Sequence, residues 1–192
     1  MSDQADKHID SARTKADNVI IRPATVADMP RKAEIAAWYV LNTRRFTTTP
    51  QSVESTIRGF HALQAAGYPF LVAEIDGLTV GHARLCDFRS PSGGYAQTTE
   101  LAVYVDHRYL YRGIGTALVN KLFDVIEHPE KYNNTWLGES RRGEGRIVNV
   151  IASMTVKPDG RDGGEGLAKF YESLGFERVG RMKKIGKSQG EW

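Results

Sequence analysis

The sequence predicts a mixed α/β (α+β) domain, and three observations carry that reading. Two apolar runs, "YPFLVAEI" and "LTVGHARLCDF", flank Asp76-Gly77, a dipeptide suited to a tight hairpin turn. "TTELAVYV" alternates, with Leu101, Val103 and Val105 on one face and Glu100, Ala102 and Tyr104 on the other. Helical periods precede these strands and strand–helix alternation follows them, which suits one central sheet flanked by helices.

The bulk properties agree with a single domain. The chain has 192 residues, 41% of them hydrophobic and 26% charged, enough for a sizeable core. A net charge of +3 is weak evidence for a polyanion and suits a small anionic ligand equally well. The basic residues are dispersed and no aromatic RNA-binding motif is present, so no nucleic-acid partner is expected. No apolar run is long enough to span a bilayer and no secretory signal opens the chain. Cys86 is the only cysteine, which excludes an intrachain disulfide framework and fits a reducing compartment. A soluble, cytoplasmic protein without a membrane partner is therefore expected.

The elements follow in order. Residues 1–18 are polar and lack an apolar period, and read as a disordered tail ahead of one domain over 19–192. "NVIIRPA" is a short strand ended by Pro23. Asp28 can cap a helix with Pro30 in its first turn and with Ile35 and Tyr39 on its packing face. Ser52 can cap a second helix carrying Val53, Ile57 and Phe60, which Gly67 stops. After the hairpin and the "RSPSGGYAQ" loop comes the alternating strand, and then a helix with Ile114, Leu118, Leu122 and Val125 in register. Residues 132–145 read as a long polar loop and "RIVNVIASMTV" as a buried strand. Residues 157–166 read as a glycine-rich loop, "LAKFYESLGF" as a short helix and "ERVGRMKK" as one more strand.

The chemistry concentrates in "VYVDHRYLYRGIGTAL". A strand, a glycine turn and a helix start stand in that order. The helix start offers N–H groups with no helical partner, and its dipole favours negative charge. Gly113 and Gly115 let the backbone approach a bulky anion, and Arg108 and Arg112 add positive charge nearby. A pyrophosphate fits. The pattern is neither the phosphate loop, which needs a following lysine, nor G-x-G-x-x-G, because Leu118 occupies the third position. From the two glycines alone, a close strand–helix turn with no ligand reads equally well.

The wider context resembles the GNAT (GCN5-related N-acetyltransferase) superfamily. Val103 to Leu118 is similar to its motif A, in which a strand carrying V-x-V leads into R/Q-x-x-G-x-G and a helix. "IRPATVADMPRKAEI", the "NT" and "F-x-T-x-P" of "LNTRRFTTTP", "YPFLVAEIDG", "TTELAVYVD", "LAKFYESLGF" and "GRMKKIGKSQGEW" resemble the phosphinothricin and methionine sulfoximine acetyltransferase subfamily. The resemblance implies the acyl-CoA N-acyltransferase fold, with acetyl-CoA as donor, no metal, and the primary amine of a small molecule as acceptor. It implies a cofactor turn formed by Val103, Tyr104, Val105, Tyr111, Arg112, Gly113, Ile114, Gly115 and Thr116. It places Glu100 as the base and Tyr171 as the acid for the leaving sulfur, and points to Phe46, Arg89 and Tyr95 on the substrate side. Leu110 stands where the family has Arg or Gln, and Gln97 where close relatives have an aromatic.

Two alternatives stay open at this level. One is an acetyltransferase for polyamine, antibiotic or peptide amines; the other is a cofactor-binding protein without turnover. The resemblance also implies a further strand after "GRMKKIGKSQGEW", so the sheet is expected to lack its final strand. A second copy, as in a homodimer, or another partner could cover the resulting edges. His82, His107 and His128 lack metal-ligand spacing, and Cys86 reads as a packed thiol.

Overall fold

The computed structural model of the chain describes residues 18–43, 49–89, 93–156, 161–183 and 185. The expected tail, except Asn18, therefore lies outside the described residues, as do Phe46 and the end of the chain.

The strands are β1 (Ile20–Pro23), β2 (Phe70–Ile75), β3 (Leu78–Asp87), β4 (Thr98–Val105) and β5 (Asn149–Ile151). They form one sheet in the order β1-β2-β3-β4-β5. The first three pairings are antiparallel, and β4–β5 is parallel. The β2–β3 hairpin turns at Asp76 and Gly77, both at positive φ (49° and 77°), which is what a tight turn of this hand requires.

The helices are α1 (Met29–Asn42), α2 (Val53–Ala65), α3 (Ile114–Glu127) and α4 (Gly166–Glu172). The alternation in the strands sends side chains to two cores. Leu71, Ala83, Leu85, Leu101 and Val105 meet Ile114, Leu118, Leu122 and Val125 of α3 on one face. Phe70 and Val72 meet Met29 of α1 and Phe60 of α2 on the other. The Ser52 side chain caps α2 by accepting from Ser55 N–H at 3.2 Å. Asp28 precedes α1 as expected, but its side chain is not spent on that helix. It accepts from Arg22, from Thr25 N–H (2.8 Å) and from Thr79 Oγ1 (2.6 Å). Burial works against the Asp28 charge, and these donors overcome it, holding the carboxyl far below its usual range.

Three expectations change. Residues 132–145 are not a free polar loop. They carry short 3-10 turns and are fastened to the segments that lead into β2 and β4. Gly138 N–H donates to Gly67 O at 3.0 Å, and Arg141 donates to Ala66 O (3.0 Å) and Ala96 O (3.1 Å) while its guanidinium covers the Tyr68 ring at 3.9 Å. The strand read from "RIVNVIASMTV" contracts to three residues, with Asn149 exposed and Val150 and Ile151 half-buried, because only three rungs join it to β4. "ERVGRMKK" forms no strand over its described residues, 177–183. Val179 and Met182 are exposed, and none of the described strands pairs with the segment. No helix among the described residues is long and apolar enough to cross a membrane.

Candidate active site

The β4–β5 ladder runs through Thr98↔Asn149, Thr99↔Val150 and Glu100↔Ile151 and then ends. β4 continues to Val105 without β5, so the two strands part beyond Glu100. A cleft of about 740 Å³ opens in this gap. One wall is β4 from Glu100 to Val105, and the facing wall is the chain after β5, Ser153 to Thr155. The glycine turn and the start of α3 close one end, and α4 contributes Gly166, Leu167, Phe170 and Tyr171. An interior strand edge without a partner leaves backbone donors and acceptors facing the cleft.

The turn that leads into α3 is conformationally demanding. Tyr111 has φ 63° and Gly113 has φ 77°, ψ 1°. At Gly113 the requirement for glycine is this left-handed conformation, since a Cβ there would meet nothing within 4 Å. At Gly115 a Cβ would lie 3.4 Å from Phe170 Cζ, an ordinary packing contact, so the ring of α4 lies close against this turn. The first intrahelical bond of α3 is Ala117 N–H to Gly113 O at 2.9 Å. The N–H groups of residues 113–116 precede it at the positive end of the helix, and all four residues line the cleft.

Asp106, directly after β4, anchors this turn. It is buried, accepts from Arg108 N–H (3.0 Å) and Arg108 Nη2 (2.7 Å), and contacts the Arg31 guanidinium of α1. The Arg108 bonds, with the positive charge of Arg31, pull its carboxyl down to about 2 against the cost of burial. Next to it, the His107 ring stacks on Trp38 of α1 with centroids 4.3 Å apart. The turn is thus tied to α1 by charge and by ring stacking.

The structure brings most of the expected residues together. Glu100, Tyr171, Val103, Tyr104, Val105, Tyr111, Gly113, Ile114, Gly115 and Thr116 all line the cleft. Glu100 is half-buried at the last rung and belongs to the sheet face that packs on α1. Tyr171 is buried, edge-on to Phe170 and Phe176 at 5.2 and 5.3 Å. Arg112 is exposed beside the cleft, over the Tyr109 ring at 5.1 Å, and is not part of the wall. Arg89 and Tyr95 also stand outside the wall. Arg89, at φ 62°, lies over Phe88 and Tyr95 at 5.5 and 5.7 Å.

Sequence reasoning missed several wall residues. Tyr39 of α1 and Thr43 at its C-terminal cap, Arg84 and Cys86 of β3, and Tyr109 and Leu110 all line the cleft. Two had a visible signal: Arg84 and Cys86 alternate with the apolar positions of β3, so they must share one face. Leu110 supplies an apolar wall where the family pattern has a polar side chain. No cluster of three or more His, Cys, Asp or Glu side chains placed to hold a metal occurs among the described residues.

Comparison with known proteins converges on this geometry. Residues 66–178 match the acetyltransferase (GNAT) domain profile. The chain is 30% identical over 175 residues to the phosphinothricin N-acetyltransferase of Streptomyces viridochromogenes, covering 91% of this chain and 82% of that protein. It is 29% identical over 174 residues to the L-methionine sulfoximine/L-methionine sulfone acetyltransferase of Salmonella typhimurium, covering 90% and 88%. The crystal structure of a phosphinothricin acetyltransferase from Sinorhizobium meliloti in complex with acetyl-CoA superposes with a TM-score of 0.72 at 25% identity, covering 91% of this chain and 83% of that one.

Proposed function

The chain belongs to the GNAT acetyltransferase family, and from that premise we propose that it moves the acetyl group of acetyl-CoA to the primary amine of an amino acid or amino-acid analogue. N-acetyl transfer is the activity of the family. The acceptor class rests on relatives named for phosphinothricin and methionine sulfoximine. The observation that carries the site is the parting of β4 and β5 beyond Glu100, next to a left-handed glycine turn at the start of α3.

The residues fit the donor. Residues 113–116 offer backbone N–H groups to a pyrophosphate, and the free edge of β4 offers hydrogen-bonding groups to a chain carrying amides. When bound, acetyl-CoA supplies an activated thioester carbonyl. Backbone N–H groups of the Leu101–Val105 stretch stabilise the charge that develops on the carbonyl oxygen. Glu100, at the mouth of the gap, takes the proton from the acceptor ammonium directly or through one water. Tyr171, from the facing wall, returns a proton to the departing sulfur. Arg89 and Tyr95, on the β3–β4 connection, serve the acceptor side from the rim, with Phe46 as a further candidate. The protein works in the cytoplasm, with the half-buried Cys86 fitting a reducing compartment. The exposed Val179 and Met182 favour assembly with a second copy.

The test is incubation with acetyl-CoA and a panel of amines while free thiol is recorded. Release that depends on an amino-acid acceptor is expected. Donor binding without release on any amine would identify a cofactor-binding protein instead, and release only with polyamine, antibiotic or peptide amines would move the acceptor class.

A further inference from the structure

The half-buried arginines of the described residues are matched to carboxylates, with one exception. Arg22 pairs with Asp28 and Glu74, Arg31 with Asp106 and Glu34, Arg141 with Asp87, and Arg142 with Glu139. The side chain of Arg84, half-buried on β3, forms no ion pair or hydrogen bond with any described residue. A guanidinium cannot shed its charge, so a partly desolvated one without a counter-charge is unfavourable until an anion reaches it.

Its position says which anion. Arg84 lies on the sheet face that carries Glu100 and lines the cleft. It also lines a second cavity of about 140 Å³, together with Lys32 of α1, Gln51, His82 and Tyr104. Arg84 and Tyr104 belong to both walls, so the two spaces adjoin there. Lys32 brings a second cation from a different element, and no Asp or Glu among the described residues lines the smaller space.

We propose that this smaller cavity is the subsite for an acid group at the far end of the acceptor. Arg84 and Lys32 would then select amino acids with an anionic side chain over those with a neutral one. The proposal rests on the acetyltransferase reading above and narrows its acceptor. The register supports the spacing. Arg84 pairs with Ala102, two residues along β4 from Glu100, which is about 7 Å at the rise of a strand. An acceptor with its α-amine at Glu100 reaches Arg84 with a terminal carboxylate or phosphinate roughly four bonds away. The guanidinium fork matches either group with paired hydrogen bonds. A neutral side chain leaves the cation unpaired, which makes such a site discriminating.

The experiment compares L-glutamate and L-glutamine as acceptors and measures glutarate binding by calorimetry, with wild type, Arg84→Gln, Arg84→Glu and Lys32→Gln. Wild type is expected to favour glutamate in kcat/KM. That preference is expected to fall by about 30-fold in Arg84→Gln, in line with the loss of a charged hydrogen bond. It is expected to invert in Arg84→Glu and to fall by a smaller factor in Lys32→Gln. A role of Arg84 in folding alone would lower both acceptors equally and leave the ratio unchanged. A wild-type ratio near one, or a ratio untouched by these substitutions, overturns the subsite. If Arg84→Gln does not fold, the glutamate-to-glutamine ratio of Lys32→Gln decides the matter in its place. Glutarate binding that depends on Arg84, with no thiol release on any amine, would sink the acetyltransferase reading and leave the anion site standing.

Discussion

The guanidinium of Arg31 on α1 contacts the carboxylate of Asp106, the residue between β4 and the glycine turn. One end of the cleft is therefore fixed to a helix on the opposite face of the sheet from α3. Among the described residues, Asp106 holds a charge that Arg31 and Arg108 balance.

Asp106→Asn should cost about 3 kcal/mol of stability at neutral pH, the usual scale for breaking a buried ion pair. The folded carboxyl titrates at about 2, below its ordinary value of 3.8. Its contribution is fully present above about pH 4 and is lost as pH falls through 2. Urea unfolding across pH 2–7 checks this. A variant as stable as wild type at pH 7, or one with an unchanged acid limb, counts against the assignment.

Gly113→Val should raise the Kd for acetyl-CoA by tenfold or more. The cause is the left-handed backbone, which a β-branched residue adopts at a cost of at least ~1–2 kcal/mol; space is not limiting, since a Cβ there is unobstructed. Arg112→Ala should change the Kd by less than about threefold, because the side chain is exposed outside the wall. Calorimetry on folded protein ranks the two, and the reverse order would remove the turn as the anion cradle.

Glu100→Gln should leave acetyl-CoA affinity intact and lower kcat by about 100-fold at neutral pH, within the usual range for a general base. The deficit should shrink as pH rises and the acceptor amine loses its proton unaided. A full-rate variant excludes the role.

For Tyr171→Phe a smaller loss, about tenfold in kcat, is expected, because water can protonate a thiolate. The ring stays in its cluster with Phe170 and Phe176, so the variant should keep its fold. Loss of stability with kcat unchanged would make this tyrosine a packing residue only.

The elements around the cleft were legible because each is specified locally. Alternation placed Glu100 and Leu101 on opposite faces, Asp76-Gly77 announced the hairpin, and the period of Ile114, Leu118, Leu122 and Val125 gave α3 its buried stripe. The parting of β4 and β5 was not legible. It is a relation between strands about fifty residues apart, and "RIVNVIASMTV" looks like a continuous strand until its partner diverges. The isolation of Arg84 is hidden for a similar reason. Nothing in "GHARLCDF" says that the other half-buried arginines find carboxylates and this one does not. The close approach of Phe170, from a helix some fifty residues later, to Gly115 is tertiary information as well.

The backbone crossing at Gly67 and Gly138 restricts how this protein can change over generations. A Cβ on Gly138 would lie 2.5 Å from Gly67 Cα, and one on Gly67 would meet the Ser140 hydroxyl at 2.3 Å. Gly138 cannot accept a side chain while Gly67 keeps its place, and Gly67 is held to glycine by its left-handed backbone at φ 77°, so an alanine at Gly138 should release the 138–146 segment from Ala66 and Ala96 together. Arg141, which bonds Ala96 and pairs with Asp87, makes that segment a brace for the connection bearing Arg89 and Tyr95. Lineages that lengthen or shorten residues 132–145 would therefore be expected to alter acceptor choice without touching a single residue of the cleft wall.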